Sequence, residues 1–452
     1  MPLPLYSLLL RLLLPLQVLR FWWRGWRHPV YRGSVRAHLS FGLVVRHDRP
    51  LWLHAASAGE VQALAGLLRQ LRERHASLPL LLTVGTATGL LRARELFAGW
   101  LGEALADGVP VLTVQPAPWD LPGATRRFMR SSSPRLGVFV EKEIWPNLVR
   151  SAADSHVPLL LVSARVSVRS TERYRRFMPR LMRDSLRGFA QIAAQSMADR
   201  ERFIALGADP AQMVVAGNLK FDLPLPTDVA GRGAALRQRI APHRSVWVAG
   251  STHEGEEAAC LEAQRALRAS SSAAGSAPLL VLAPRRPERF ESVAQWLGTQ
   301  GVAWARYTSM VQLTDEIDVL LVDRFGELLT CYAAADVCFV GGTLVPVGGH
   351  NLLEPAALGK PVLAGPNCFN SAESARLLEA SGGLRQVKDE RQLTQMLREW
   401  LQDTLGASRA GRAAAAAVIA NRGAAAQALQ AITALLVSDS SKPAPASPSA
   451  AG

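Results

Sequence analysis

The chain has 452 residues, 49% hydrophobic and 19% charged, with a formal net charge of +14 and four cysteines. That length exceeds one hydrophobic core and predicts two domains of about 200 residues each, while the composition excludes an intrinsically disordered chain. The positive balance calls for an anionic partner. No basic run is interleaved with aromatics, which places nucleic acid last among the candidates, and no CxxC pair or metal-ligand spacing occurs among Cys260, Cys331, Cys338 and Cys368.

Residues 3–18 are mostly leucine, broken chiefly by Pro4, Ser7, Arg11 and Pro15. As a helix they cover about 24 Å, marginal for spanning a bilayer. Gln17, Arg20, Arg24 and Arg27 then share one helical face, with Phe21, Trp22, Trp23 and Trp26 among them. That pattern predicts a helix at or leaving a membrane interface, with the downstream arginines placing the rest of the chain on the cytoplasmic side if it spans. A core helix of the first domain is the other reading. A cleaved signal peptide does not fit, because most basic residues follow the apolar run.

The body alternates short apolar runs with helical patterns, as parallel sheets with crossover helices do. Strands are predicted at Leu51–Ala55, Leu80–Val84, Leu136–Val140 and residues 159–162. The pattern restarts after about residue 230, with strands at residues 245–249, 279–283 and 319–322, at Val337–Val340 and at Val362–Ala364. The expected division is an anchor at 1–30, α/β domains at 31–228 and 229–437 joined near residues 222–232, and a Ser/Pro/Ala-rich disordered tail at 438–452. Residues 270–278 read as a surface loop. Ligands of open α/β sheets sit beyond the carboxyl ends of strands, so two such halves facing each other would form a cleft.

One device recurs at three strand ends. HAASAGE (54–60) carries Ser57 and Glu60 at capping-box spacing, AGSTHEGEE (249–257) carries Ser251 and Glu254, and the third pair is Asn351 with Glu354. The last belongs to VGGTLVPVGGHNLLEPAALGKPVLAGP (340–366), read as a buried strand, a glycine-rich loop and a helix opening at Asn351. Such a loop offers amide N–H groups and a positive dipole end to an anion, although a capping box alone explains Asn351 and Glu354 equally.

Glu60, at a helix start beyond a strand, is placed to act as a general base toward a hydroxyl. VEKEIWPNL (140–148) puts Glu141 and Glu143 just past another strand. SARVSVRS (163–170) adds Arg165 and Arg169, GNLKFD (217–222) adds Lys220, and APRRPERF (283–290) adds Arg285 and Arg286, all suited to phosphate or carboxylate. HExxH, paired-His and DxD-type patterns are lacking, so no metal or other cofactor is expected.

These segments, with TVGTATG (83–89) and GGHNLLEPAA (348–357), together resemble the 3-deoxy-D-manno-octulosonic acid (Kdo) transferases of Gram-negative bacteria, in order along the chain to about residue 435. The resemblance implies a GT-B fold of two Rossmann-like domains. It implies metal-independent, inverting transfer of Kdo from the nucleotide sugar CMP-Kdo to the 6′-hydroxyl of the lipid A precursor lipid IVA at the cytoplasmic face of the inner membrane. By resemblance Glu60 is the proton acceptor, and Glu141 and Lys220 stabilise the transition state. Pro284 and Arg285, Gly326, Glu327 and Leu328, and Asn351, Leu352, Leu353 and Glu354 are the CMP-binding segments. Ser57, Ser251 and Arg165 are supporting residues. The chain departs from the family pattern at Arg286, where His is usual, at Ser163, where Asn is usual, and in TVGTATG. The alternative is a GT-B transferase or epimerase using a different nucleotide sugar.

Overall fold

The computed structural model describes residues 1–27, 34–41, 49–223, 225–270, 277–310 and 312–440; the side chains of Arg24, Arg27, Ser34 and residues 438–440 lie outside the description. The chain divides into two compact units, residues 1–222 with 422–452 and residues 223–421. The described parts of the expected loop at 270–278 are its flanks, and residues 271–276 lie outside the described residues.

The first unit is built on a parallel sheet of seven strands: β1 (Leu51–Ala55), β2 (Leu80–Val84), β3 (Leu112–Pro116), β4 (Leu136–Val140), β5 (Leu159–Ala164), β6 (Gln191–Ala194) and β7 (Met213–Val215). Their order is β3-β2-β1-β4-β5-β6-β7. The second unit repeats the plan with β8 (Val246–Thr252), β9 (Leu279–Pro284), β10 (Trp304–Arg306), β11 (Val319–Leu321), β12 (Val337–Val340), β13 (Val362–Ala364) and β14 (Leu384–Gln386), in the order β10-β11-β9-β8-β12-β13-β14. The central strands are buried along their whole length, as apolar runs covered by helices on both faces must be. In the first unit one face packs Leu51, Leu53 and Ala55 against Val61, Leu64 and Leu68 of the helix Ala58–Arg74. The other face packs Trp52 against Phe128, Phe139 and Leu161. Gly137 of β4 makes room for that indole: a Cβ there would lie 2.8 Å from Trp52 Cε3.

In both sheets a switch point lies at the centre, between β1 and β4 and between β8 and β12; in the second sheet the chain also turns back once at the edge, from β10 to β11. At such a switch point neighbouring crossovers leave in opposite directions, and a crevice opens outside the strands' carboxyl ends.

The division of the chain differs from expectation at its end. The helix Ala424–Ser440 belongs to the first unit, because Ala425, Ala428, Leu429 and Ile432 fill the core beside Ala58–Arg74. Asp222 fixes its start: the two carboxylate oxygens accept the amide N–H groups of Gly423 (2.7 Å) and Ala425 (2.6 Å). This helix runs through 438–440, which the sequence assigned to the tail; residues 441–452 lie outside the described residues.

The N-terminal helix, Leu3–Arg27, is apolar and long enough to cross a membrane by length and composition. It nevertheless rests on the first unit. Tyr6 Oη donates to Asp120 (2.9 Å), Ser7 Oγ donates to Asn147 Oδ1 (2.8 Å), and Leu10, Leu14, Val18 and Phe21 pack on Trp119, Leu121 and Ala124. Its other side leaves Leu5, Leu8, Leu9, Leu12, Leu13, Leu16, Leu19, Trp22 and Trp26 exposed.

Candidate active site

The first switch point gathers the carboxylates. Helix Ala58–Arg74 starts directly after β1, capped by Ser57, whose Oγ accepts the Glu60 amide at 3.4 Å. The Glu60 carboxylate folds back to accept the Ala56 amide at 2.5 Å, one residue before the cap, so of the capping box expected from the spacing only the Ser57 half forms. Glu60 is buried. Burial and then the neighbouring Glu143 charge push its carboxyl up to about 7, against the Ala56 hydrogen bond that favours the ionised form.

Across from it, the residue after β4 is Glu141, held at a φ of +61°. A non-glycine residue in the left-handed region costs roughly 1–2 kcal/mol, and here the strain aims a carboxylate at two cations. Arg165 Nε donates to Glu141 Oε2 at 2.7 Å, and Lys220 Nζ lies 2.6 Å from Oε1 as an ion pair. Burial alone would raise the Glu141 carboxyl, but Lys220 and Arg165 together hold it below the ordinary value, so it stays a carboxylate. Both Glu141 and Lys220 are electrostatically coupled to Glu60.

Lys220 is positioned by a network that sequence reading left out. Ser163, at the end of β5 with φ +53°, donates to Asn218 Oδ1 (3.3 Å) and accepts the Leu219 amide (3.2 Å). Asn218 Oδ1 in turn accepts the Lys220 amide (3.0 Å), fixing the short turn that carries the lysine. Glu143, the second carboxylate of the EKE segment, accepts from Trp145 Nε1 (2.6 Å) and lies 3.7 Å from His54 Nε2. His54 is fully buried, its Nδ1 3.0 Å from Thr83 Oγ1.

The second switch point departs from expectation in two ways. Ser251 is no helix cap: it sits at φ +58° inside the β8 terminus, and the following helix begins at Glu256. Glu256, rather than Glu254, reaches back, accepting the His253 amide at 3.0 Å. Its carboxylate also accepts the amides of Gly342 (2.6 Å), Thr343 (3.0 Å) and Leu344 (2.9 Å). The glycine-rich loop therefore turns three of its amides onto a fully buried internal carboxylate, not outward to an anion. Further on, the helix opens at Leu353 and has five residues, so Asn351 precedes it. Asn351 Oδ1 accepts the Leu353 amide, and its Nδ2 donates to Glu354 Oε1, both at 3.1 Å. Leu352 and Leu353 are buried core side chains, present at the site by backbone alone.

Pro284 ends β9, and the next amide, that of Arg285, donates to Thr252 O at 3.0 Å. Both Arg285 and Arg286 are exposed. Gly326 turns at φ +91°, Glu327 accepts from Arg232 and Tyr307 (both 3.1 Å), and Leu328 begins a helix. His253 and His350 meet at this same end of the sheet, Nε2 to Nε2 at 2.8 Å. The signal for this pair lay in the STHEGEE and GGHN segments, read only for their acidic and amide residues. Among the described residues no group of three or more His, Cys, Asp or Glu side chains is arranged to hold a metal ion.

The fold is shared with UDP-GlcNAc 2-epimerase from Neisseria meningitidis (TM-score 0.52, 12% identity, 86% of this chain and 100% of that one). A putative UDP-N-acetylglucosamine 2-epimerase from Listeria monocytogenes is similar to the same degree (TM-score 0.51, 15% identity, 86% and 96%). Two seven-stranded parallel α/β units and these likenesses define a protein of the GT-B fold. The family model of 3-deoxy-D-manno-octulosonic-acid transferase (kdotransferase) matches residues 33–223. The 3-deoxy-D-manno-octulosonic acid transferase of Bordetella pertussis is 39% identical over 85% of this chain and 88% of its own length, and that of Haemophilus influenzae 33% over 83% and 84%. The chain belongs to the 3-deoxy-D-manno-octulosonic acid transferase family, a family of glycosyltransferases.

Proposed function

We propose that the chain transfers Kdo from CMP-Kdo to the 6′-hydroxyl of lipid IVA, with inversion and without a metal, in lipopolysaccharide biosynthesis. The observation that carries this reading is a buried carboxylate, Glu60, poised at about 7 beside the Glu141–Lys220 ion pair. A base tuned near the working pH is what deprotonation of a sugar hydroxyl requires. Glu60 takes the hydroxyl proton as the oxygen attacks the anomeric carbon of Kdo, and the bond from that carbon to the CMP phosphate oxygen breaks. Lys220, kept in place by Glu141, stabilises charge developing between nucleophile and leaving group. CMP leaves with a single phosphate, whose charge Arg285 can meet. Pro284, Gly326 to Leu328 and Asn351 to Glu354 would frame the nucleotide.

The acceptor is a lipid, and the N-terminal helix supports a place for the reaction. It is held to the first unit from Tyr6 to Phe21, along most of its length, with its apolar stripe turned away. A helix so held lies in the plane of the interface. We place it on the cytoplasmic face of the inner membrane, with Arg11 and Arg20 near anionic headgroups.

Incubating the purified protein in detergent with lipid IVA and either CMP-Kdo or UDP-GlcNAc, followed by mass spectrometry, tests the assignment. The expected product is lipid IVA enlarged by Kdo, formed from CMP-Kdo alone, and the mass gives the number of residues added. A product formed only from the UDP-sugar would overturn the reading.

A further inference from the structure

The amides of Gly342, Thr343 and Leu344 are already satisfied by Glu256, so the glycine loop does not supply them to a donor phosphate. What stands at the same switch point is a pair of imidazoles. His253 follows β8 and His350 follows the loop after β12; their rings meet edge to edge, 6° from parallel and 5.0 Å between centroids, with the Nε2 atoms 2.8 Å apart. The chain makes room for this pair: a Cβ on Gly342, at φ +72°, would lie 3.0 Å from His350 Cδ2. Two imidazoles joined Nε2 to Nε2 share one proton, one ring donating and the other accepting.

The charges facing the pair come from every packed element. Glu256 and Glu257 act on His253 from the helix Glu256–Ser270, Arg286 and Arg289 from the segment after β9, and Arg285 and Arg286 act on His350. Burial and then Arg285 press His350 down to about 3, and burial lowers His253 as well. Both rings are therefore neutral at pH 7 beside two exposed arginines, an arrangement an anion would reverse.

Building on the CMP-Kdo reading, we propose that His253 and His350, together with Arg285 and Arg286, form the phosphate subsite of the donor, and that phosphate binding is coupled to uptake of one proton by the imidazole pair. The proton comes from solvent and enters at Nδ1 of the ring whose Nε2–H is already donated. The Nε2–H···Nε2 bond survives, and the new imidazolium faces the phosphate.

The test is calorimetric titration of the full-length protein in detergent with the methyl ester of CMP, a phosphodiester like the donor that does not itself titrate between pH 5 and 8. Buffers of different ionisation enthalpy report proton uptake, and cytidine serves as the phosphate-free control. Wild-type protein is expected to take up a proton with the ester and none with cytidine, and to bind the ester more tightly at pH 6 than at pH 8. In His253→Gln and His350→Gln, ester affinity should fall at least tenfold and proton uptake should vanish, with cytidine affinity within twofold of wild type. Because His350 is the more deeply buried ring, His253→Gln keeps the test open should His350→Gln fail to fold. Ester binding without proton uptake, or His253→Gln binding the ester like wild type, overturns the subsite alone. Binding of UDP and of neither cytidine probe overturns the donor assignment beneath it.

Discussion

Glu60 is the side chain of the first unit on which the proposed chemistry turns. Its carboxyl at about 7 means that the proposed base is half protonated at neutral pH, so kcat/KM for lipid IVA at saturating CMP-Kdo should rise about tenfold per pH unit below 7 and level off above it. After burial, the largest contribution to that value is the charge of Glu143, itself held by Trp145 and facing His54. Glu143→Gln keeps the acceptor for the indole N–H and removes the charge. The acid limb of the pH–rate profile should then move to lower pH while its plateau stays within a few-fold of wild type. An unmoved limb would show that Glu143 does not tune the base. The left-handed residues Glu141, Ser163 and Ser251 make a related point: each lies at a strand's carboxyl end, where strain is repaid by aiming a side chain or a loop at the site.

At the scale of elements, the central strands were legible because they are buried on both faces and read as unbroken apolar runs: β1, β2, β4, β8, β9 and β12 stand where the runs placed them. The strands that escaped notice are short or at edges. β3, β10 and β14 carry Gln115, Arg306 and Arg385 and are only partly buried, so no unbroken apolar run marks them. Capping spacing found the Ser57 cap, although Glu60 reaches Ala56 rather than Ser57, and was misleading at Ser251 and Glu254. In the second case the same EGEE segment offers two carboxylates, and only tertiary placement, with three loop amides converging on Glu256, decides which turns inward. The return of Ala424–Ser440 to the first unit was hidden for a similar reason. Its alanine-rich face matches either core, and the Asp222 cap that directs it lies some 200 positions away in the chain.

At the scale of the molecule, each unit gathers its candidate site residues at its own switch point, carboxylates and a lysine in one, histidines and arginines in the other. The N-terminal helix adds a third surface. On the interfacial reading, each of its part-exposed leucines would stabilise membrane binding by at most roughly 1.5–3 kcal/mol. Replacing Leu12 and Leu16, both exposed and away from the packed face, with Asp should move the protein from membranes to the soluble fraction in flotation with anionic vesicles, leaving its melting temperature unchanged. Continued flotation of the Leu12→Asp, Leu16→Asp protein would contradict an interfacial role for this stripe.

The central claim is that Glu60 is the base for Kdo transfer, and Glu60→Gln tests it most directly through the rate of transfer from CMP-Kdo to lipid IVA at pH 8. Folding and transfer are separable here. A carboxylate whose folded value is raised from 4.5 to about 7 costs stability progressively as pH rises between those values. Removing it should therefore leave the protein at least as stable as wild type at pH 8. The account predicts a transfer rate lower by at least about 100-fold, with CMP affinity unchanged. A Glu60→Gln protein that transfers Kdo at the wild-type rate would contradict it.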